Sequence, residues 1–437
     1  MTEILNIFLQ FFIFLTIFMF PINSYYLENN IFKNFKFSLY DILSLNILIH
    51  FNLFLLISFF DFDMNKYFFI LIFMGLIFGF IEIKKYLKNS KLKKESLLYF
   101  LIFSLISLSI FFQIAEKLIL EWDAINHWIY KVSHFYYGHS ILNMENIRFS
   151  EYPHLGSYVW AFFWKNSLLN QEYFGRLFYS FFYVVSIFSL VTHILTNKNI
   201  KLNIIISLFV IIITYDIFLF SGYQAYLLFS ALVIASRFLL EHRKIRHTNL
   251  IFFCLILFIL QSIIWFKDEG IFYYILFATV MIFYGSFNIK KKICIILLVF
   301  SFPIIQFVIQ KFIMGTYAFQ AEIIPNSFFE MFKDPKILLH KLFLITKYIF
   351  ISFVKYNIWF LNLFSLVIIY FVDKKLFKSL MPWIVILILN IGLIYSIYLH
   401  TPYDLKLLLT VTLDRLLFQT SGIYLVFPLV LIKKYFN

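Results

Sequence analysis

The sequence predicts an all-α polytopic membrane protein, and three observations support this fold class. Of the 437 residues, 62% are hydrophobic and only 14% are charged, whereas a soluble domain is about 45–50% apolar and about 25% charged. The apolar residues come in long blocks, such as 4–21 and 293–305, and about 20 apolar residues suffice to cross a bilayer. Short basic segments separate the blocks. We therefore expect a single transmembrane domain over residues 1–437.

Hydropathy predicts about thirteen transmembrane helices in this domain. The first block has no basic segment before it and no small-residue cleavage site after it, so we expect it to be retained as a helix. The predicted spans are 4–22, 39–60, 67–83, 97–117, 175–195, 203–220, 222–240, 249–265, 271–287, 293–312, 356–372, 380–399 and 416–432.

Lysine and arginine in alternate short segments determine the predicted orientation. Basic segments such as 84–94, 290–292 and 433–434 are expected to face the cytoplasm. The N-terminus is then outside and the C-terminus is cytoplasmic. Two long external loops are predicted: 118–174, which follows the fourth span, and 313–355.

The net charge of +14 would by itself be compatible with nucleic-acid binding. The basic residues lie in short segments between apolar blocks, however, so we predict contact with membrane lipid and none with nucleic acid. Cys254 and Cys294 both fall within apolar blocks and form neither a disulfide framework nor a C-x-x-C motif.

The first external loop has the most unusual polar sequence in the chain. Asp123 lies just past the end of a predicted span, near the lipid headgroups and within reach of a lipid-bound substrate. An ordinary interfacial loop is the alternative, because Trp and Tyr favour that level anyway. The other candidate residues in or beside this segment are Trp122, His127, Trp128, Lys131, Tyr152, His154 and Arg176.

Two further polar clusters occur in segments predicted on the same side. Lys267, Asp268 and Glu269 precede Gly270 between two apolar blocks, and three successive charges are costly in hydrocarbon. A solvated hairpin turn is the alternative interpretation of this cluster.

The last cluster contains Asp404, Asp414 and Arg415. Arg415 is predicted to open the final span, where its guanidinium could bind a phosphate with two hydrogen bonds. Snorkelling toward the interface or pairing with Asp414 are the alternatives.

These clusters, in this order, resemble motifs of bacterial GT-C glycosyltransferases. The stretch 122–131 followed by Tyr152-Pro153 resembles their first external loop, 267–270 resembles their Lys-Asn/Asp-Glu-Gly turn, and 412–417 resembles their Ser-Leu-Asp-Arg-Leu-Leu pattern. Relatives in this superfamily include the aminoarabinose and protein mannosyl transferases. The resemblance implies transfer of a sugar from a polyprenyl-phosphate donor to a glycan, lipid or protein acceptor at the outer face of the bacterial inner membrane.

A lipid-phosphate donor determines which residue types the reaction needs. Phosphate departs without protonation, so a single base suffices, and Asp123 is the candidate by position and by resemblance. Direct displacement would invert the anomeric centre. Cations must stabilise the departing phosphate, and the candidates are Arg415, Lys267, Lys131 and Arg176. The candidate substrate-binding residues are Trp122, His127, Trp128, Tyr152, His154, Asp268, Glu269, Asp404 and Asp414.

No cofactor is predicted. Asp123, Asp268, Glu269 and Asp404 are residue types that could bind a hard divalent cation, but their spacing does not indicate a metal site.

Two other functions remain open from the sequence. A polysaccharide polymerase or ligase usually relies on a late external loop with Arg and His, whereas 315–340 contains one His and no Arg. A transporter or flippase often has internal repeats and charges at the membrane midplane, and no clear repeat is visible.

Overall fold

The computed structural model describes residues 2–23, 37–88, 93–145, 147–150, 152–195, 200–216, 219, 221–244, 250–285, 287–313, 335–401 and 403–436. All regular secondary structure in these ranges is helical, which confirms the all-α prediction. Eight of the helices described are long and apolar enough to cross a membrane, and six shorter apolar helices accompany them. The chain is therefore a helical protein suited to a membrane, and the predicted count of thirteen spans is not confirmed.

The α-helices are numbered here in chain order. They are α1 (Thr2–Ile17), α2 (Leu39–Ile57), α3 (Met64–Lys88), α4 (Lys93–Lys117), α5 (Ile129–Tyr136), α6 (Leu155–Lys165), α7 (Tyr173–Leu195), α8 (Ile200–Thr214), α9 (Ala225–Lys244), α10 (Leu250–Leu260), α11 (Glu269–Tyr284), α12 (Ile289–Val308), α13 (Pro335–Lys355), α14 (Asn357–Val372), α15 (Lys374–Ser379), α16 (Met381–Leu399), α17 (Leu405–Ser421) and α18 (Val426–Phe436).

Helix α7 is the centre of the bundle. It is 94% buried over its apolar window, and α2, α4, α6, α8 and α9 all pack against it. A helix that is apolar all round belongs in the interior. The apolar windows of helices α3 and α12, by contrast, are only 22% buried. The exposed Phe, Leu and Ile side chains of these two helices therefore suit contact with lipid.

Neither of the two predicted long loops is confirmed as a loop. The segment 118–174 contains a π-helical turn, Ala124–Trp128, and helices α5 and α6. The apolar residues of α6, from Leu155 to Phe163, are buried, so they hold this segment within the bundle. In the second segment, residues 335–355 form the apolar helix α13, and residues 314–334 lie outside the described part of the chain.

Polar contacts between distant helices identify the two ends of the bundle. At one end, the Tyr173 hydroxyl donates to Glu3 Oε1 at 2.7 Å, and Arg176, three residues later in the same helix, donates to the carbonyl of Ile119, four residues before Asp123. At the other end, Lys434 is paired with Asp373. We call these the site end and the basic end.

Candidate active site

The three predicted motifs meet at the site end of the bundle. The guanidinium of Arg415 is paired with the carboxylate of Asp123. Lys267 Nζ lies 3.7 Å from Glu269 Oε1 and donates to Gln419 Oε1 at 3.3 Å. Gln419 is one helical turn after Arg415 on α17, so this helix joins the Asp123 segment to the Lys267 turn.

Arg415 occupies a different position in its helix from the one predicted. The hydropathy analysis starts the last span after Arg415, but helix α17 begins ten residues earlier at Leu405. The apolar stretch Leu405–Phe436 is continuous over 32 residues. The ion pair between Arg415 and Asp123 offsets part of the desolvation cost of placing an arginine inside this apolar helix.

A tight turn packs against the backbone beside Asp123. The Glu121 N–H donates to the Ser221 carbonyl at 3.2 Å, which ties the segment before the π-turn to the segment before α9. Gly222 has a φ of +80°. A Cβ on this glycine would lie 2.7 Å from the Trp160 ring and 3.0 Å from the Ala124 Cβ, so both its conformation and its surroundings require glycine.

Tyr223 in this turn is a site residue that the sequence analysis missed. Its ring centroid lies 5.3 Å from Arg415 Cζ, a cation–π distance. The predicted spans 203–220 and 222–240 leave only residue 221 between them, so the hydropathy pattern predicts no loop there. The Gly-Tyr-Gln sequence between two apolar blocks is the signal that could have indicated it.

The Lys267 turn is held by the close approach of two helix ends. Helix α10 ends in a 3-10 turn, Gln261–Trp265, and α11 begins at Glu269. Gln306 of α12 donates to the Ile264 carbonyl at 3.1 Å, and Gln261 bonds to Asn52 of α2. A Cβ on Gly270 would overlap the Ile263 carbonyl oxygen, so glycine is needed for α11 to start there.

Burial determines the protonation behaviour of the basic groups around the site. It lowers the pKa of Lys267, an effect that the Glu269 carboxylate opposes. It also lowers the pKa of His127, against the influence of Asp123. Full burial, with Lys131 nearby, lowers the pKa of His154 to about 3. His154 is therefore neutral near pH 7 and contributes no positive charge for a phosphate.

The structure groups the predicted aromatic residues beside Asp123. The His127 ring lies 5.1 Å from the Trp122 ring and 5.4 Å from the Tyr152 ring, and Trp128 also packs on Tyr152. Trp122 remains 60% exposed. These residues form an aromatic rim to the site.

Two of the four predicted phosphate-binding cations have internal structural roles. Lys131 is fully buried and donates to the Tyr152 carbonyl at 2.6 Å. Arg176 is also buried; it is paired with Glu172 at 2.8 Å and donates to the Ile119 carbonyl at 2.7 Å. These side chains hold the segment around Asp123 in shape, which leaves Arg415 and Lys267 at the site itself.

Three predicted substrate-binding residues also make structural contacts. Asp404 caps α17 by accepting from the Leu407 N–H at 2.7 Å, about 16 Å along the helix from Arg415. His154 bonds through Nε2 to Ser58 at 2.9 Å. Asp414 accepts from Tyr356 at 2.6 Å, at the junction of α13 and α14.

Asp414 is held by two more donors at that junction. Ser352 donates to its other oxygen at 2.8 Å, and Lys355 donates at 3.1 Å. This cluster fixes α13 and α14 against α17 beside Arg415.

Asp268 is exposed in the Lys267 turn. Over the described residues, no group of three or more His, Cys, Asp or Glu side chains is arranged to hold a metal ion.

Neither a protein-family model, a curated protein nor a solved structure matches this chain. The side chains of the site are therefore the basis for inferring its function.

Proposed function

We propose that this protein is a membrane glycosyltransferase that moves a sugar from a polyprenyl-phosphate donor to a glycan, lipid or protein acceptor. The observation that supports this function best is the meeting of two cations, Arg415 and Lys267, with the carboxylates of Asp123 and Glu269 at one end of an apolar helical bundle. A sugar phosphate on a lipid needs these groups: a base for the acceptor and positive charge for the departing phosphate.

The depth of the site suits a lipid phosphate. Within the helix Leu405–Phe436, the stretch from Arg415 to Lys433 spans about 27 Å at 1.5 Å per residue. A bilayer core is about 30 Å thick. If the basic end faces the cytoplasm, Arg415 lies near the outer boundary of the hydrocarbon, in a bacterial inner membrane with the N-terminus outside.

Each charged group has a role in the proposed transfer. An acceptor hydroxyl attacks the anomeric carbon while the bond from that carbon to the phosphate oxygen breaks, and the phosphate leaves with the bonding electrons. Asp123 takes the proton of the hydroxyl. Arg415 and Lys267 stabilise the charge that builds on the phosphate, and Glu269 orients Lys267. A single displacement inverts the anomeric centre.

The aromatic rim suits the sugar of the donor or acceptor. Trp122 presents an exposed ring beside His127, and aromatic faces combine an apolar surface with polar edges. We assign sugar contacts to Trp122, His127 and Tyr152, while Trp128 supports them from the buried side of the rim.

Mass analysis of surface glycans tests this function. A deletion strain is complemented with the wild-type gene, with Asp123→Asn or with Asp373→Asn, which breaks an ion pair at the basic end. The wild type and Asp373→Asn should restore the missing sugar, whereas Asp123→Asn should not, at equal amounts of membrane-inserted protein. Unchanged glycans in the deletion strain, or full restoration by Asp123→Asn, would remove the proposal.

A further inference from the structure

The charges at the site neutralise one another. Asp123 is paired with Arg415 and Glu269 with Lys267, so two cations face two carboxylates. Arg415 and Asp123 are also partly withdrawn from solvent, with side chains 20% and 17% exposed. An anionic ligand that approaches this site therefore meets cations that already have partners.

Arg415 nevertheless retains a donor that this pair does not use. Its Nε–H is buried and has no acceptor among the residues described. Buried polar groups are nearly always hydrogen-bonded. The indole N–H of Trp128, in the π-turn that follows Asp123, is likewise buried without an acceptor in the described part of the chain. Both donors suit an anion or a sugar oxygen.

We propose that Asp123 is an intramolecular competitor for the anion site on Arg415, and that a phosphate ester opens the site by exchanging with this carboxylate. The inference rests on the proposed function and adds a binding order to it. The phosphate takes the guanidinium, using Nε and a terminal nitrogen as a two-point fork. Tyr223 keeps the plane of the guanidinium in place through the exchange.

The exchange couples donor binding to release of the base. While the carboxylate of Asp123 is paired with Arg415, it is poorly placed to accept a proton from an acceptor hydroxyl. When the phosphate takes its place, the carboxylate is freed beside the anomeric carbon. The site then activates an acceptor only when a donor is present, which limits wasteful reaction with water.

Binding of a phosphate lipid without a sugar tests the exchange independently of transfer. The full chain is placed in nanodiscs of zwitterionic lipid and titrated with polyprenyl monophosphate, and separately with inorganic phosphate. Asp123→Asn should tighten phosphate binding by about tenfold or more, because Arg415 no longer has to leave a charged partner. Arg415→Ala should weaken binding by a similar factor. Asp123→Ser serves if the asparagine variant does not fold.

Two control variants test whether tighter phosphate binding by Asp123→Asn comes from the exchange or only from the loss of one negative charge. Glu121→Gln removes a carboxylate from the same segment without touching the Arg415 pair. Asp373→Asn breaks a pair at the basic end, with an aspartate that is similarly exposed, at 20%. Both should bind polyprenyl phosphate within about twofold of wild type. A gain with Glu121→Gln equal to that of Asp123→Asn would overturn the exchange.

The outcomes also distinguish this inference from the proposed function. If Asp123→Asn fails to tighten binding while Arg415→Ala weakens it, the exchange is wrong and the phosphate role of Arg415 stands. If neither variant changes binding, the exchange and the donor assignment both fail. A gain seen with polyprenyl phosphate alone supports exchange with a lipid ligand, and an equal gain with inorganic phosphate supports exchange with the phosphate group itself.

Discussion

Asp123 and Arg415 are 292 residues apart in the chain and form an ion pair at one end of the helical bundle. The pair joins the residue that precedes the π-turn to the first third of the 32-residue apolar stretch Leu405–Phe436. Lys267 reaches the same helix through Gln419. This geometry brings the three sequence motifs into a single site, and the proposed function depends on it.

Arg415→Lys should impair use of the donor more than use of the acceptor. Lysine keeps the charge but loses the planar fork and its packing on Tyr223. We expect the KM for the lipid-phosphate donor to rise about tenfold or more, with the KM for the acceptor changed much less. Steady-state transfer in proteoliposomes with each substrate varied measures both values.

Tyr223 variants provide the matched comparison for Arg415. Tyr223→Phe retains the aromatic face and should have a small effect on the donor KM, whereas Tyr223→Ala should raise it. A defect in acceptor KM alone for Arg415→Lys would contradict the phosphate role.

Gly270→Ala should damage both stability and activity. The added methyl overlaps the Ile263 carbonyl oxygen, which is backbone and has little room to move. Forced shifts of this kind cost about 1–3 kcal/mol, and the shift displaces Lys267. A thermal unfolding curve in detergent, together with transfer activity, measures the effect.

Gly392→Ala is the control for that change. It also lies within an apolar helix, and an added Cβ there meets no described atom within 4 Å. Its Tm and activity should match those of the wild type. Equal behaviour of the two alanine variants would show that the Lys267 turn does not need the close approach at Gly270.

The affinity for the polyprenyl-phosphate donor should decrease as the pH rises. The decrease should occur at a lower pH than it would if Lys267 had the pKa of an ordinary lysine. Burial lowers the pKa of Lys267, so its positive charge is present below that depressed pKa and is lost as pH rises through it. An unperturbed lysine titrates near 10.4. Binding of polyprenyl phosphate as a function of pH measures the alkaline limb.

Lys267→Arg tests whether that limb belongs to Lys267. Arginine stays charged throughout the accessible range, so the fall in binding should disappear or move to much higher pH, even if the affinity at neutral pH is lower. An unchanged alkaline limb would assign it to another group.

The sequence was sufficient to predict an all-helical chain and to single out the three polar motifs, because apolar blocks and isolated charges are local signals. The number of spans was not confirmed, and helices α5, α6 and α13 lie in segments predicted as loops. The roles of Lys131 and Arg176 could not be predicted, since each depends on a carbonyl or carboxylate supplied by the fold. Arg415 was predicted at the start of a helix because a hydropathy scale treats a charged residue as unfavourable within a span. The scale takes no account of the ion pair with Asp123 that compensates this charge. Tyr223 was missed for a similar reason: its contact with Arg415 is purely tertiary.

Labelling of single cysteines in intact cells tests most directly that the Asp123 segment and the Lys267 turn face the same compartment. Cys254 and Cys294 are first replaced by serine. Asn126→Cys and Asp268→Cys place thiols beside the two motifs, and Tyr435→Cys places an exposed thiol at the basic end. A membrane-impermeant maleimide should label positions 126 and 268 from outside, and position 435 only after permeabilisation. Labelling of 126 and 268 from opposite compartments would contradict the shared site and the function proposed for it.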